Sequence, residues 1–289
     1  MTNILSPQPS QSQDLPFSDF DFDAIASGAK VKFGLDLART KKHLVYARLC
    51  PRVRANNLTS FEEYTSLLES SEGETERQEF ISALTTNVTH FFREAHHFEF
   101  LQNHVLKNLT PKLNRREPVR IWSAGCSTGQ EAVSIAITLL ESVHPSHLCN
   151  LQILATDVDR QVVREAANSH YSQEEISKLR PEIRQKYFIK DPDCQTAPCV
   201  NSLITYGQLN LLGEWPSFRG FDVIFCRNVA IYFDQKTRSR LWQKIQKVLL
   251  PDGLLFIGHS ERLEKASLAK FKPVSITTYQ KSRNLEDSF

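Results

Sequence analysis

Two patterns of apolar spacing divide the chain. From about residue 17 to 86 apolar side chains recur at helical intervals, as in Phe61, Tyr64, Leu67 and Leu68 or Phe80 and Leu84, with no strand-like alternation. A small all-α domain is predicted there. After about residue 116, short apolar runs ending at Gly or Asp alternate with helical patterns: VRIWSAG, LQILATD, FDVIFCRN and GLLFIGHS. Strands alternating with helices predict parallel βαβ units in a doubly wound α/β domain over 116–289. Residues 171–205, with Asp191-Pro192-Asp193 and Ala197-Pro198-Cys199, are too long and turn-rich for a plain crossover and predict a small insertion. Residues 1–16, rich in Ser, Gln and Pro, bury too little apolar surface to offset ordering entropy and are expected to form a flexible tail.

The strand tips carry the candidate chemistry. VRIWSAG runs into Gly125-Cys126-Ser127-Thr128-Gly129 and then into QEAVSIAITLLESV. A glycine-containing turn therefore sits where open α/β sheets bind nucleotides. The next strand ends in Asp157, an acid placed either to hydrogen-bond ribose hydroxyls or merely to cap the following helix. The three-glycine dinucleotide fingerprint and GxxxxGK[ST] are both absent, and Glu131 falls in the first helical turn, where a carboxylate repels a pyrophosphate. That carboxylate suits a ligand with an ammonium group, a ribose and a sulfonium, a combination found in S-adenosylmethionine. A later strand delivers Arg227 and Asn228 to the same crevice, and Tyr232 either reaches toward it or fills the core.

Composition narrows the class. The chain has 289 residues, 40% hydrophobic and 24% charged, which excludes collagen-like, disulfide-stapled and wholly disordered chains. Six cysteines without a CxxC pair, no secretory leader and no run of ~18 apolar residues predict a soluble cytoplasmic protein with no direct membrane insertion. His96 and His97 are adjacent and no Cys/His set has ligand spacing, so no metal is expected. Net charge is only +2, but eight Lys/Arg crowd residues 29–54. If 41–54 is helical, Lys41, Arg48 and Arg52 share a narrow arc beside Val45, Leu49 and Val53, as a solvated face or a docking stripe. Pro51 is expected to kink or restart that helix.

Four segments resemble the CheR family of chemotaxis receptor methyltransferases, S-adenosylmethionine-dependent protein-glutamate O-methyltransferases. They are TNVTHFFRE from Thr86, IWSAGCSTG from Ile121, Ala155-Thr156-Asp157, and FCRNVAIYFD from Phe225. The resemblance covers most of the chain and implies a Rossmann-like S-adenosylmethionine-dependent methyltransferase domain with a small inserted β-subdomain, preceded by the all-α domain and a linker over 87–115. It implies cofactor contacts from Asn87, Thr89, Arg93, Glu131, Asp157, Asn210, Leu211, Asn228 and Val229, with Arg93 and Tyr232 nearest the methyl group as catalytic candidates. The family usually reads EEPYS after the glycine turn, where this chain has Gln130-Glu131-Ala132-Val133-Ser134, keeping the second acid.

The implied reaction moves the methyl group to glutamates of methyl-accepting chemotaxis receptors, leaving S-adenosyl-L-homocysteine. A glutamate with pKa ≈ 4.3 is already ionised at neutral pH, so no general base is required. Acidic receptor helices would dock on Lys41, Arg48 and Arg52. A monomer is expected, and no nucleic acid partner. Two rivals differ from this reading: a nucleic-acid methyltransferase, which the basic block favours and the near-neutral total opposes, and a non-catalytic sensor of the cofactor.

Overall fold

The computed structural model describes residues 15–85, 88–189 and 194–283; the expected tail, residues 1–16, falls almost wholly outside them. The N-terminal helices are α1 (Asp19–Phe33), α2 (Lys42–Ala55), α3 (Phe61–Glu69) and α4 (Glu74–Leu84). Helix starts follow local chemistry: Ser18 caps α1 in a reciprocal capping box with Asp21, and Ser60 caps α3. Pro51 does not break α2, which runs through it to Ala55 and corrects the expected kink. Much of the stretch expected as a linker is helical, as α5 (His96–His104) and, past a π turn, α6 (Thr110–Asn114).

The sheet is built from β1 (Val119–Ala124), β2 (Leu151–Asp157), β6 (Ile204–Gln208), β7 (Phe221–Cys226), β8 (Leu249–Ile257), β9 (Phe271–Ser275) and β10 (Thr278–Lys281). Their order is β6-β2-β1-β7-β8-β10-β9, parallel from β6 to β8 with an antiparallel β10–β9 edge. Chain order runs outward from β1 through β2 to β6 and from β7 to β8, so the switch point lies between β1 and β7. Helices α7 (Gln130–Ser142), α8 (Arg160–Asn168) and α12 (Gln235–Val248) connect the strands.

Both sheet faces are buried, which explains the continuous apolar runs. Ile121, Val223, Phe225, Leu254 and Phe256 enter one core with α5 and α7, whereas Trp122, Ala124, Ile224, Leu255 and Ile257 enter a second core shared with α12 and the N-terminal helices. The all-α unit is thus packed on the sheet, over the face beside the switch point. Between α8 and β6 lies a small antiparallel sheet of β3 (His170–Tyr171), β5 (Cys194–Thr196) and β4 (Phe188–Ile189), accompanied by α9 (Gln173–Ser177), α10 (Pro181–Tyr187) and α11 (Pro198–Asn201).

Candidate active site

A cavity opens at the carboxyl ends of β1, β2 and β7. Thr89, Arg93, Glu131, Asp157, Asn210 and Leu211 line it, together with Asn228, Val229 and Tyr232. Asn87 lies outside the described residues.

The turn after β1 sets the floor. Gly125 and Gly129 have φ of 92° and 96°, and a Cβ at Gly125 would stand 2.3 Å from Val229 Cγ2. Only glycine allows both that backbone conformation and that approach. Gly125 and Cys126 donate their N–H groups to Thr156 O at 2.8 and 2.9 Å, binding the turn to the end of β2. Asp157 accepts from Ser127 N (2.9 Å) and Asp159 N (3.1 Å), whereas Asp159 caps α8 through Gln161 N. Asp157 is therefore not the helix cap; it is a wall residue fixed from behind. Burial pushes its carboxyl up, against the lowering pull of the Ser127 and Asp159 N–H groups.

A buried arginine and two largely buried glutamates form a row beside it. Ser123 Oγ donates to Glu131 Oε1 at 2.6 Å, and Arg227 Nη1 lies 3.5 Å from Glu131 Oε2. Arg227 Nη2 lies 3.6 Å from Glu94 Oε2 and donates to Arg93 O. The Arg227 side chain is 1% exposed, yet its Nε and Nη1 have no hydrogen-bond partner. Burial pushes Glu131 up while Arg227 draws it down. For Glu94, burial is outweighed by Arg227 and His259, leaving its carboxyl below the usual range. Sequence reasoning gave Arg227 no role; its signal was an arginine directly after the apolar run 223–226. Strain collects here too: Phe92, Glu94, Ser127 and Asn228 have φ of 52°, 59°, 49° and 60°, conformations that cost on the order of 1–3 kcal/mol each.

Glu94, His96 and His97 bring donor atoms within 4.8 Å of one another, a cluster that the adjacency of the two histidines had argued against. His97 is fully buried, with Nε2 2.8 Å from Thr277 Oγ1, and burial, then Arg227, push its pKa down to about 3. Arg227 already sets a positive charge against Glu94, which opposes a cation there.

A second groove meets the cavity at Tyr232 and is lined by Leu35, Asp36, Lys41, Leu44 and Arg48. Lys41 is exposed in a short turn ahead of α2. Arg48 Nη1 donates to Leu84 O at 2.9 Å, fastening α2 to the end of α4. The structure does not bring Arg52 to this groove. Its Nε and Nη2 bind Glu76 at 3.0 and 2.6 Å and its Nη1 pairs with Glu79 at 3.1 Å, on the α4 side of α2.

Two sequence families match: "CheR methyltransferase, all-alpha domain" over residues 21–85 and "CheR methyltransferase, SAM binding domain" over 87–280. The chain is 42% identical over 252 residues to a probable chemotaxis protein methyltransferase of Rhizobium etli, covering 86% of this chain and 94% of the relative. It is 39% identical over 256 residues to the chemotaxis protein methyltransferase of Escherichia coli, covering 86% and 87% of the two chains.

Proposed function

The chain belongs to the CheR methyltransferase family and is an S-adenosylmethionine-dependent methyltransferase, and from that premise we propose that it esterifies glutamate side chains on the cytoplasmic helices of chemotaxis receptors. The observation that carries this reading is the meeting of two unlike spaces at Tyr232: a cavity walled by buried charges and a groove bearing Lys41 and Arg48.

The cavity's chemistry fits the cofactor. Glu131 suits its ammonium group, and the unpartnered N–H groups of Arg227 suit its carboxylate. Asp157, its carboxylate anchored by backbone N–H groups at the cavity wall, suits the ribose hydroxyls. When bound, S-adenosylmethionine supplies an electrophilic methyl group on a sulfonium. The protein's part is to hold an already ionised acceptor in line with it and to exclude water. Lys41 and the apolar groove would receive the receptor helix, with Arg93 turning the carboxylate and Tyr232 shaping its path. No step in this reading calls for a metal, a general base or nucleic acid, and the enzyme works as a cytoplasmic monomer.

The test is transfer of labelled methyl from S-adenosylmethionine to a receptor cytoplasmic fragment. Alkali-labile label that disappears in a Glu→Ala receptor is expected; label that resists alkali would overturn the ester assignment. Arg93→Ala should lower turnover about 100-fold, the scale of a misplaced reacting group.

A further inference from the structure

The loop after β7 supplies Asn228, Val229 and Tyr232 to the cavity, yet what holds it lies outside the cavity. Glu261, 4% exposed, accepts backbone N–H groups from two separate strand tips. Its Oε1 takes Val229 N at 3.0 Å and Ala230 N at 2.7 Å; its Oε2 takes Asn228 N at 2.9 Å and Gly258 N at 2.5 Å. One carboxylate thus ties the tip of β7 to the tip of β8.

The surroundings need that tie. Asn228 sits at φ 60°, a left-handed conformation that is costly for a residue with a Cβ. Val229 Cγ2 fills the space where a Cβ on Gly125 would lie, so a small shift of the loop alters the cavity floor. At the other tip, a Cβ on Gly258 would come within 2.4 Å of Asn228 Nδ2 and 2.9 Å of both Asn228 N and Glu261 Oε2. Glycine there lets the two tips approach closely enough to share one acceptor. Beyond the loop, Tyr232 O accepts Asp36 N at 2.7 Å, so the same segment also meets the helical domain.

We propose that Glu261 is a positioning residue for cofactor binding: its carboxylate gathers four backbone N–H groups and thereby sets Asn228 and Val229 in the cavity wall. A carboxylate is suited to this because it accepts at both oxygens, whereas an amide would turn an NH2 toward two N–H donors. The proposal rests on the reading of the cavity as the S-adenosylmethionine site, and the experiment separates the two.

Full-length wild type, Glu261→Gln and Glu261→Asp are compared by calorimetric titration with S-adenosylhomocysteine and by steady-state kinetics, after circular dichroism shows each variant folded at the assay temperature. If the wild type fails to bind S-adenosylhomocysteine, the cofactor reading falls with it. In Glu261→Gln, cofactor affinity is expected to drop about 10- to 100-fold, from loss of hydrogen bonds to a charged group, with KM for the receptor fragment within about twofold. Glu261→Asp, which keeps the carboxylate, should recover part of the loss. A folded Glu261→Gln that binds S-adenosylhomocysteine as wild type does overturns the proposal, as does an equal loss in cofactor and receptor KM without recovery in Glu261→Asp. Should Glu261→Gln not fold, Gly258→Ala pushes the same tips apart, and unaltered cofactor affinity in that variant overturns it equally.

Discussion

The charged cavity and the groove beside it share Tyr232 but are built on opposite terms. In the cavity, charge is largely shielded and held by neighbours: Asp157 by two backbone N–H groups, and Arg227 between the carboxylates of Glu131 and Glu94. In the groove the cations stand on a helical surface; Lys41 is exposed, and Arg48 is only half-buried. The difference teaches where electrostatics sets structure and where it only biases encounter. A buried charge left alone costs several kcal/mol, whereas an exposed one is screened.

The sharpest way to break that contrast is Arg227→Met. It leaves the largely buried Glu94 and Glu131 without their shared cation, and a loss of about 3 kcal/mol of stability, the low end for a broken buried pair, is expected in denaturant titration. An unchanged midpoint would mean that the row of charges is not structural. Arg52→Met comes next. It removes the bonds to Glu76, itself 6% exposed and also bound by Tyr64 at 2.7 Å, so a loss of about 1.5–3 kcal/mol is expected, the scale of hydrogen bonds to charged groups. Receptor KM should stay at the wild-type value; a rise in KM with no loss of stability would return Arg52 to the docking surface.

A pH titration sharpens the cavity side. Burial raises Glu131, so as pH falls it takes up a proton earlier than an exposed glutamate does and loses the charge proposed to attract the ammonium group. S-adenosylhomocysteine affinity should then weaken as pH falls through the folded-state pKa, by roughly tenfold per pH unit. Glu94, held low, has the opposite linkage: its contribution to stability is present above its unfolded pKa and is lost only as pH falls through the lower folded value. Affinity that does not weaken as pH falls through the carboxylate range would remove Glu131 from the ammonium site.

The contrast also explains what the sequence made legible. Gly125, Gly129, Asp157 and Asn228 could be placed because strand ends and turn glycines have fixed geometry, and the resemblance carried Thr89 and Arg93 to the same crevice. Arg227 and Glu261 were not assigned roles, because their partners are far away in the chain: Glu94 and Glu131 for one, the N–H groups of residues 228–230 for the other. The basic stripe was legible only as a spacing. Helical phase placed Lys41, Arg48 and Arg52 on one arc, but phase does not say which neighbour stands beside each turn. Glu76 and Glu79 on α4 claim Arg52, while the carbonyl of Leu84 claims Arg48.

The smallest effect is the one that most directly tests the groove. Lys41→Met removes an exposed charge whose attraction for an acidic helix is worth less than about 1 kcal/mol. Its stability should match the wild type, and receptor KM should rise about two- to fourfold at low ionic strength, consistent with that energy. In about 1 M salt, where charges are screened within about 3 Å, the two proteins should converge. A difference that persists in high salt would mean that the Lys41 stem packs against the receptor, and the groove would then recognise its partner by shape rather than by charge.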